Sequence, residues 1–98
     1  MHGLIGAAMH ARVALLVALQ PQRAHVDRAA AARFEGLTPR EREIVAAIVT
    51  GLTNEQIAAD LFLSPYTVKT HANRAMMKVG ARDRAQLVSY AVLAGIRP

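Results

Sequence analysis

Four helix-start signals divide residues 38–98 into short segments and leave little choice of fold. Thr38-Pro39-Arg40-Glu41 is a capping box with proline at the first helical position. The threonine hydroxyl accepts from an unpaired amide, Glu41 reaches back to the Thr38 amide, and proline has no amide there to leave unsatisfied. Thr53-Asn54-Glu55-Gln56 repeats the device, Ser64-Pro65 opens a third helix, and Asp83-Arg84-Ala85-Gln86 opens a fourth. Gly51, Gly80 and Gly95 stand where three of these helices should stop. The expected fold class is all-α, with four helices over residues 38–94 preceded by a short helical extension.

The connection between the second and third helices is the most restrictive. It holds only Phe62, Leu63 and Ser64, with no glycine to relax it. So short a link forces two helices to cross steeply, the helix-turn-helix arrangement, and presents the second of them outward. Apolar stripes identify the inward faces: Ile44, Val45, Ile48 and Val49 on the first helix, Ile57, Ala58 and Leu61 on the second.

On a 3.6-residue wheel the third helix, 65–79, separates into sides. Val68, Ala72, Ala75, Met76 and Val79 share the core side, and Tyr66, Lys69, Thr70, Asn73 and Met77 the opposite one. Thr67, His71, Arg74 and Lys78 lie on a flank. Lysine can donate to guanine N7 or O6, asparagine can pair with adenine N6 and N7, and a threonine methyl can touch a thymine methyl. A solvated face is the competing reading. Against it stand the tight turn and the shortage of acids: over residues 64–84, Lys69, Arg74, Lys78, Arg82 and Arg84 face only Asp83, in a chain of net charge +5.

Composition narrows the alternatives. Much of the 53% hydrophobic content is alanine, with two Phe, two Tyr and no Trp, which favours small, closely packed helices over a sheet. Without cysteine there is neither a disulfide framework nor a thiolate metal site, as suits a reducing cytoplasm. The four histidines lack ligand spacing, so no metal or other cofactor is expected. No carboxylate pair, glycine-rich phosphate loop or Ser-His-Asp set is evident, and Ser64 already serves as a cap, so no enzyme is expected.

Residues 1–34 differ in character. Leu4, Ala8, Ala11, Leu15 and Leu19 form one stripe, Pro21 ends it, and Asp27 is placed to cap a second helix through Arg33. The apolar run from Leu4 to Leu19 is interrupted by His10 and Arg12 and is short for a bilayer, and no small-x-small cleavage site follows. An amphipathic helical extension that packs on another copy is the preferred reading over a linker or tail. The expected domains are 1–34, extension or linker, and 35–98, the helix-turn-helix domain.

The ordered series LTPREREI, GLTN, EQIAADL, SPYTVKTH and KVGARDR, followed by an apolar last helix, resembles the LuxR-type helix-turn-helix DNA-binding domain of bacterial regulators over about two thirds of the chain. The resemblance implies sequence-specific binding of double-stranded DNA. Lys69, Thr70 and Asn73 would read bases; Thr67, His71 and Arg74 would lie near phosphates. Thr53 and Asn54 would join them at a helix N-terminus, where plain capping is an equal alternative. The family's pairing through its last helix implies a homodimer, assigned to Leu87, Tyr90, Ala91 and Leu93, with Leu87, Val88, Ala91 and Val92 also expected to bury. RNA polymerase is a further implied partner, no membrane is implied, and the place of action is the cytoplasm. The chain departs from the family's usual larger aliphatic residue at Ala72 and sets Met77 outward, where charged residues are common. A sigma-factor fourth region shares some of the pattern, but the KVGARDRAQ connection argues against it. A second function class is a helical protein that sequesters another regulator through residues 1–34.

Overall fold

The computed structural model describes residues 26–98. It holds helices α1 (Arg28–Arg33), α2 (Pro39–Val49), α3 (Asn54–Leu61), α4 (Pro65–Val79) and α5 (Arg84–Leu93), with no strand among the described residues. The fold is all-α, as the start signals require.

Each start signal closes as its chemistry predicts. The Glu41 amide donates to Thr38 Oγ1 at 3.1 Å and the Thr38 amide to Glu41 Oε1 at 2.9 Å. Thr53 and Gln56 repeat both bonds at 3.1 and 2.9 Å. Ser64 Oγ receives the Thr67 amide at 3.1 Å, and Asp83 Oδ1 the Gln86 amide at 2.8 Å. Asp27 Oδ1 caps α1 by accepting from the Ala30 amide at 3.0 Å. Such caps contribute roughly 1 kcal/mol each, which matters for helices of about two to four turns.

The core draws one stripe from every helix. Phe34, Ile44, Val45, Ile57, Val68, Ala75 and Leu87 are fully buried, and Ala58, Ala72 and Val79 nearly so. Large side chains such as Phe34 and Leu87 each stabilise the fold by about 1.5–3 kcal/mol through burial. Alanines at 72 and 75 let α4 approach its neighbours closely. α4 packs mainly on α2 and α3, while α5 packs on α2 and α1. Val49, Leu61 and Met76, expected on buried stripes, end half-buried at the margin.

The segment before residue 35 enters the same core. Phe34 is buried, its carbonyl accepts from Arg42 Nη2 at 3.1 Å, and the Asp27 amide donates to the Leu93 carbonyl at 3.0 Å. Residues 27–34 therefore pack on their own chain. The Leu4–Leu19 stripe and Pro21 lie outside the described residues.

α5 corrects part of the expected dimer surface. Leu87 and Ala91 are fully buried, because residues 87, 91 and 94 form the i, i+4, i+7 face against the rest of the domain. They are unavailable to a partner. Val92, expected to bury, lies off that stripe and is 55% exposed, beside Leu93 at 49%. Tyr90 is half-buried beneath the Arg33 guanidinium.

Candidate nucleic-acid interface

α3, the turn and α4 build the site. α3 closes at Phe62, which takes the left-handed conformation at φ 57°, and the Leu63 amide returns to the Ala58 carbonyl at 2.9 Å. The chain thus turns at Phe62, two residues before the Ser64 cap. α4 leaves with Val68, Ala72, Ala75 and Val79 buried beneath it and its opposite side in solvent.

On that outer side Lys69 and Asn73 are exposed, and neither makes a side-chain hydrogen bond or ion pair among the described residues. Thr70 is half-buried; its hydroxyl donates to the Tyr66 carbonyl at 3.0 Å. That internal bond uses the hydroxyl proton, so Thr70 offers its methyl and oxygen lone pairs outward. Tyr66 and Met77, 78% and 81% exposed, bracket the polar groups on the same side. The span from 66 to 77 rises about 16 Å at 1.5 Å per residue. The wheel placed both residues here, yet sequence reasoning assigned neither to the site.

The flank is less free than its composition suggests. Arg74 is exposed, but Thr67 Oγ1 lies 2.9 Å from Ser64 Oγ, and half-buried His71 has its Nδ1 enclosed without a hydrogen-bond partner among the described residues. Thr53 is occupied as a cap, although exposed. Asn54 Oδ1 accepts from Arg84 Nη1 at 2.8 Å, while Arg84 Nη2 donates to the Leu52 carbonyl at 3.0 Å. Lys78, grouped with the phosphate donors by its position on the wheel, instead meets Glu41 at 2.7 Å.

Glu41 is the one buried charged residue of the described chain, 2% exposed. Burial pushes its carboxyl up; hydrogen bonding to Lys78, the Thr38 amide and hydroxyl, and attraction to the Lys78 ammonium together outweigh that and hold it below the ordinary glutamate value. Of the five cations between residues 64 and 84, Lys78 and Arg84 are thus spent inside the domain. Arg82 has only a loose 3.7 Å contact with Asp83, both well exposed. Lys69 and Arg74 are left on or beside the outer face of α4.

A protruding helix with donors and acceptors on one side, carried by a steep helical pair, matches the width and chemistry of a DNA major groove. Among the described residues no helix is long and apolar enough to cross a membrane, and no group of His, Cys, Asp or Glu is placed to hold a metal ion.

Residues 35–91 match the family described as bacterial regulatory proteins, luxR family. The transcriptional regulatory protein YxjL of Bacillus subtilis, whose name marks it as uncharacterized, is 43% identical over 75 residues, covering 76% of this chain and 33% of its own length. FixJ of Azorhizobium caulinodans, a transcriptional regulatory protein, is 42% identical over 66 residues, 67% of this chain and 31% of that protein. Nodulation protein W of Bradyrhizobium diazoefficiens is 41% identical over 63 residues, 64% of this chain and 28% of that protein. The chain spans a third or less of the length of these relatives. With the helix-turn-helix, its outward polar helix and the family match in agreement, the chain belongs to the luxR family of bacterial regulatory proteins and carries that family's DNA-binding, transcription-regulating domain.

Proposed function

We propose that the chain binds double-stranded DNA sequence-specifically with α4 in the major groove. Lys69, Thr70 and Asn73 read base edges, with Thr70 working through its methyl group and lone pairs. Arg74, His71 and Thr67 meet phosphates beside the groove; Thr53 and Asn54 approach the backbone at the N-terminus of α3, where the helix dipole favours an anion. The chain carries no catalytic role, works in the cytoplasm and acts as a homodimer on near-palindromic sites. Tyr90 and Leu93 remain of the expected dimer surface, and exposed Val92 extends it. RNA polymerase is the partner such a DNA-bound domain meets at a promoter. Residues 35–98 form the DNA-binding unit, with 1–34 as an extension whose described part, 27–34, shares the core of that unit. The sequestering alternative draws on residues 1–34, and no observation favours it.

The observation that carries this reading is the exposure of Lys69 and Asn73, without side-chain partners among the described residues, on the face of α4 opposite its buried stripe. Binding sites selected from a random duplex pool supply the probe for fluorescence anisotropy. Lys69→Ala or Asn73→Ala should each cost about 1–3 kcal/mol on the selected site and relax preference at individual positions. Arg74→Ala should weaken binding to every sequence and reduce the salt slope by about one. Unchanged affinity in all three variants would rule out this face as the reading surface.

A further inference from the structure

The far end of α4 is held by a residue that belongs to none of the four helices of the expected domain. Arg33, the last residue of α1, donates from Nη1 to the Val79 carbonyl at 2.8 Å, and its guanidinium carbon lies 4.1 Å from the centre of the Tyr90 ring on α5. The helix end explains the need. The last carbonyls of a helix have no intrahelical donor. Here the Gly80 amide serves the Met76 and Met77 carbonyls and the Ala81 amide returns to Met76, so the Val79 carbonyl is met by a side chain. The approach is close: a Cβ on Gly80 would come within 3.1 Å of Arg33 Nη1, and Gly80 lies at φ 80°, a conformation suited to glycine.

α1 is a fixed base for this contact. Asp27 caps it and ties its start to Leu93, and Phe34 locks its end into the core. Consecutive residues at the end of α4 are therefore tethered to two different elements, Lys78 to Glu41 of α2 and Val79 to Arg33 of α1. The other end of α4 hangs from the short turn at Phe62 and Leu63, about 20 Å away along a 15-residue helix. The turn and the buried stripe of Val68, Ala72, Ala75 and Val79 set the course of the helix, and the grip at its far end fixes the angle that remains free.

We infer that Arg33 is a positioning residue for DNA recognition: it sets the angle at which α4 presents its reading face, acting through the Val79 carbonyl and the Tyr90 ring. The inference rests on the proposed reading of α4. The cation also sits at the negative end of the α4 dipole, where it favours an intact last turn. Arg33 meets the end of α4 at Val79, a residue of its buried stripe, and not the face with Lys69 and Asn73. Its loss should therefore change discrimination without changing the count of neutralised phosphates.

The test uses the whole chain, with binding measured well below the thermal midpoint of each variant against a selected duplex and a scrambled one. Arg33→Ala should lower affinity for the selected duplex about threefold to tenfold while leaving the scrambled duplex and the salt slope unchanged. Arg33→Lys, which still reaches for the carbonyl with a charged donor, should recover at least half of that loss on a logarithmic scale. If Arg33→Ala does not fold, Arg33→Gln, which keeps a planar donor without the charge, takes its place. Weakening of both duplexes with a salt slope smaller by about one would make Arg33 a phosphate ligand and overturn the inference. Unchanged discrimination would overturn it as well. Lys69→Ala is the control: if it alters discrimination and the Arg33 variants do not, only the positioning role fails, whereas if neither does, the reading of α4 fails.

Discussion

Breaking the Glu41–Lys78 pair should destabilise the domain in a way that depends on which partner is removed. Lys78→Met leaves a carboxylate that is 3% exposed at the side chain without its ammonium partner. Removing one member of a fully buried ion pair costs about 3–5 kcal/mol. The Lys78 side chain is 39% exposed, so water reaches the site, and the Thr38 hydrogen bonds to the carboxylate survive. The expected loss is therefore smaller, about 1–3 kcal/mol, or roughly 4–20 °C in thermal midpoint for a domain of this size. Glu41→Gln keeps an acceptor for the Thr38 amide and returns Lys78 to solvent, so it should cost only about 0.5–1.5 kcal/mol.

The pH dependence supplies an independent check. The folded-state carboxyl of Glu41 lies below its ordinary value of 4.5. Its stabilisation is complete above that unfolded value and is lost as pH falls through the lower folded one. Thermal unfolding followed by circular dichroism from neutral pH downward should show wild type losing its advantage over Glu41→Gln within that acid window. A double-mutant cycle with Lys78→Met completes the measurement. Additive effects, with coupling below about 0.3 kcal/mol, together with parallel pH profiles for wild type and Glu41→Gln, would refute the pair as a stabilising link.

Three further outcomes test the turn and the last helix. Phe62 is 95% exposed and holds the left-handed conformation, so Phe62→Gly removes a backbone cost of about 1–2 kcal/mol against a smaller entropic penalty in the unfolded chain. Its thermal midpoint should rise by about 2–8 °C; no rise would mean that the ring stabilises the turn after all. Leu87→Ala should cost about 2–5 kcal/mol, as a core truncation does. Leu93→Ser should leave stability within about 0.5 kcal/mol while shifting sedimentation at tens of micromolar toward monomer; an unchanged dimer fraction would remove Leu93 from the interface.

Much of the fold was legible because its signals are local. A capping box acts within four residues, and all four start signals in residues 38–83 closed on the atoms their side chains predict. The buried stripe of α4 was legible for the same reason, since helical periodicity alone separates Val68, Ala72, Ala75 and Val79 from Lys69 and Asn73. α5 was harder: Leu87, Val88, Tyr90, Ala91, Val92 and Leu93 surround most of a helix with apolar groups, so periodicity could not choose its buried side. Packing against α2 and α1 chose it: Leu87 and Ala91, expected both to bury and to meet a partner, belong to the core. Tertiary partners were out of reach for the same kind of reason. Glu41 and Lys78 are 37 residues apart, and Arg33 and the Val79 carbonyl 46, so no window along the chain contains either pair.

Those long-range pairs also change what the basic composition means for DNA. Counted along the chain, residues 64–84 hold five cations and look like a broad electrostatic footprint. In the fold Lys78 neutralises a buried carboxylate and Arg84 braces Leu52 and Asn54, so two of the five serve the shape of the domain. Non-specific affinity grows with the number of phosphates neutralised, whereas discrimination comes from base-edge contacts and from how accurately they are held. Moving cations from the first task to the second narrows the charge available to any duplex while fixing the helix that carries Lys69 and Asn73. On the proposed reading of α4, a helix gripped at Lys78 and Val79 favours selectivity over general attraction to DNA.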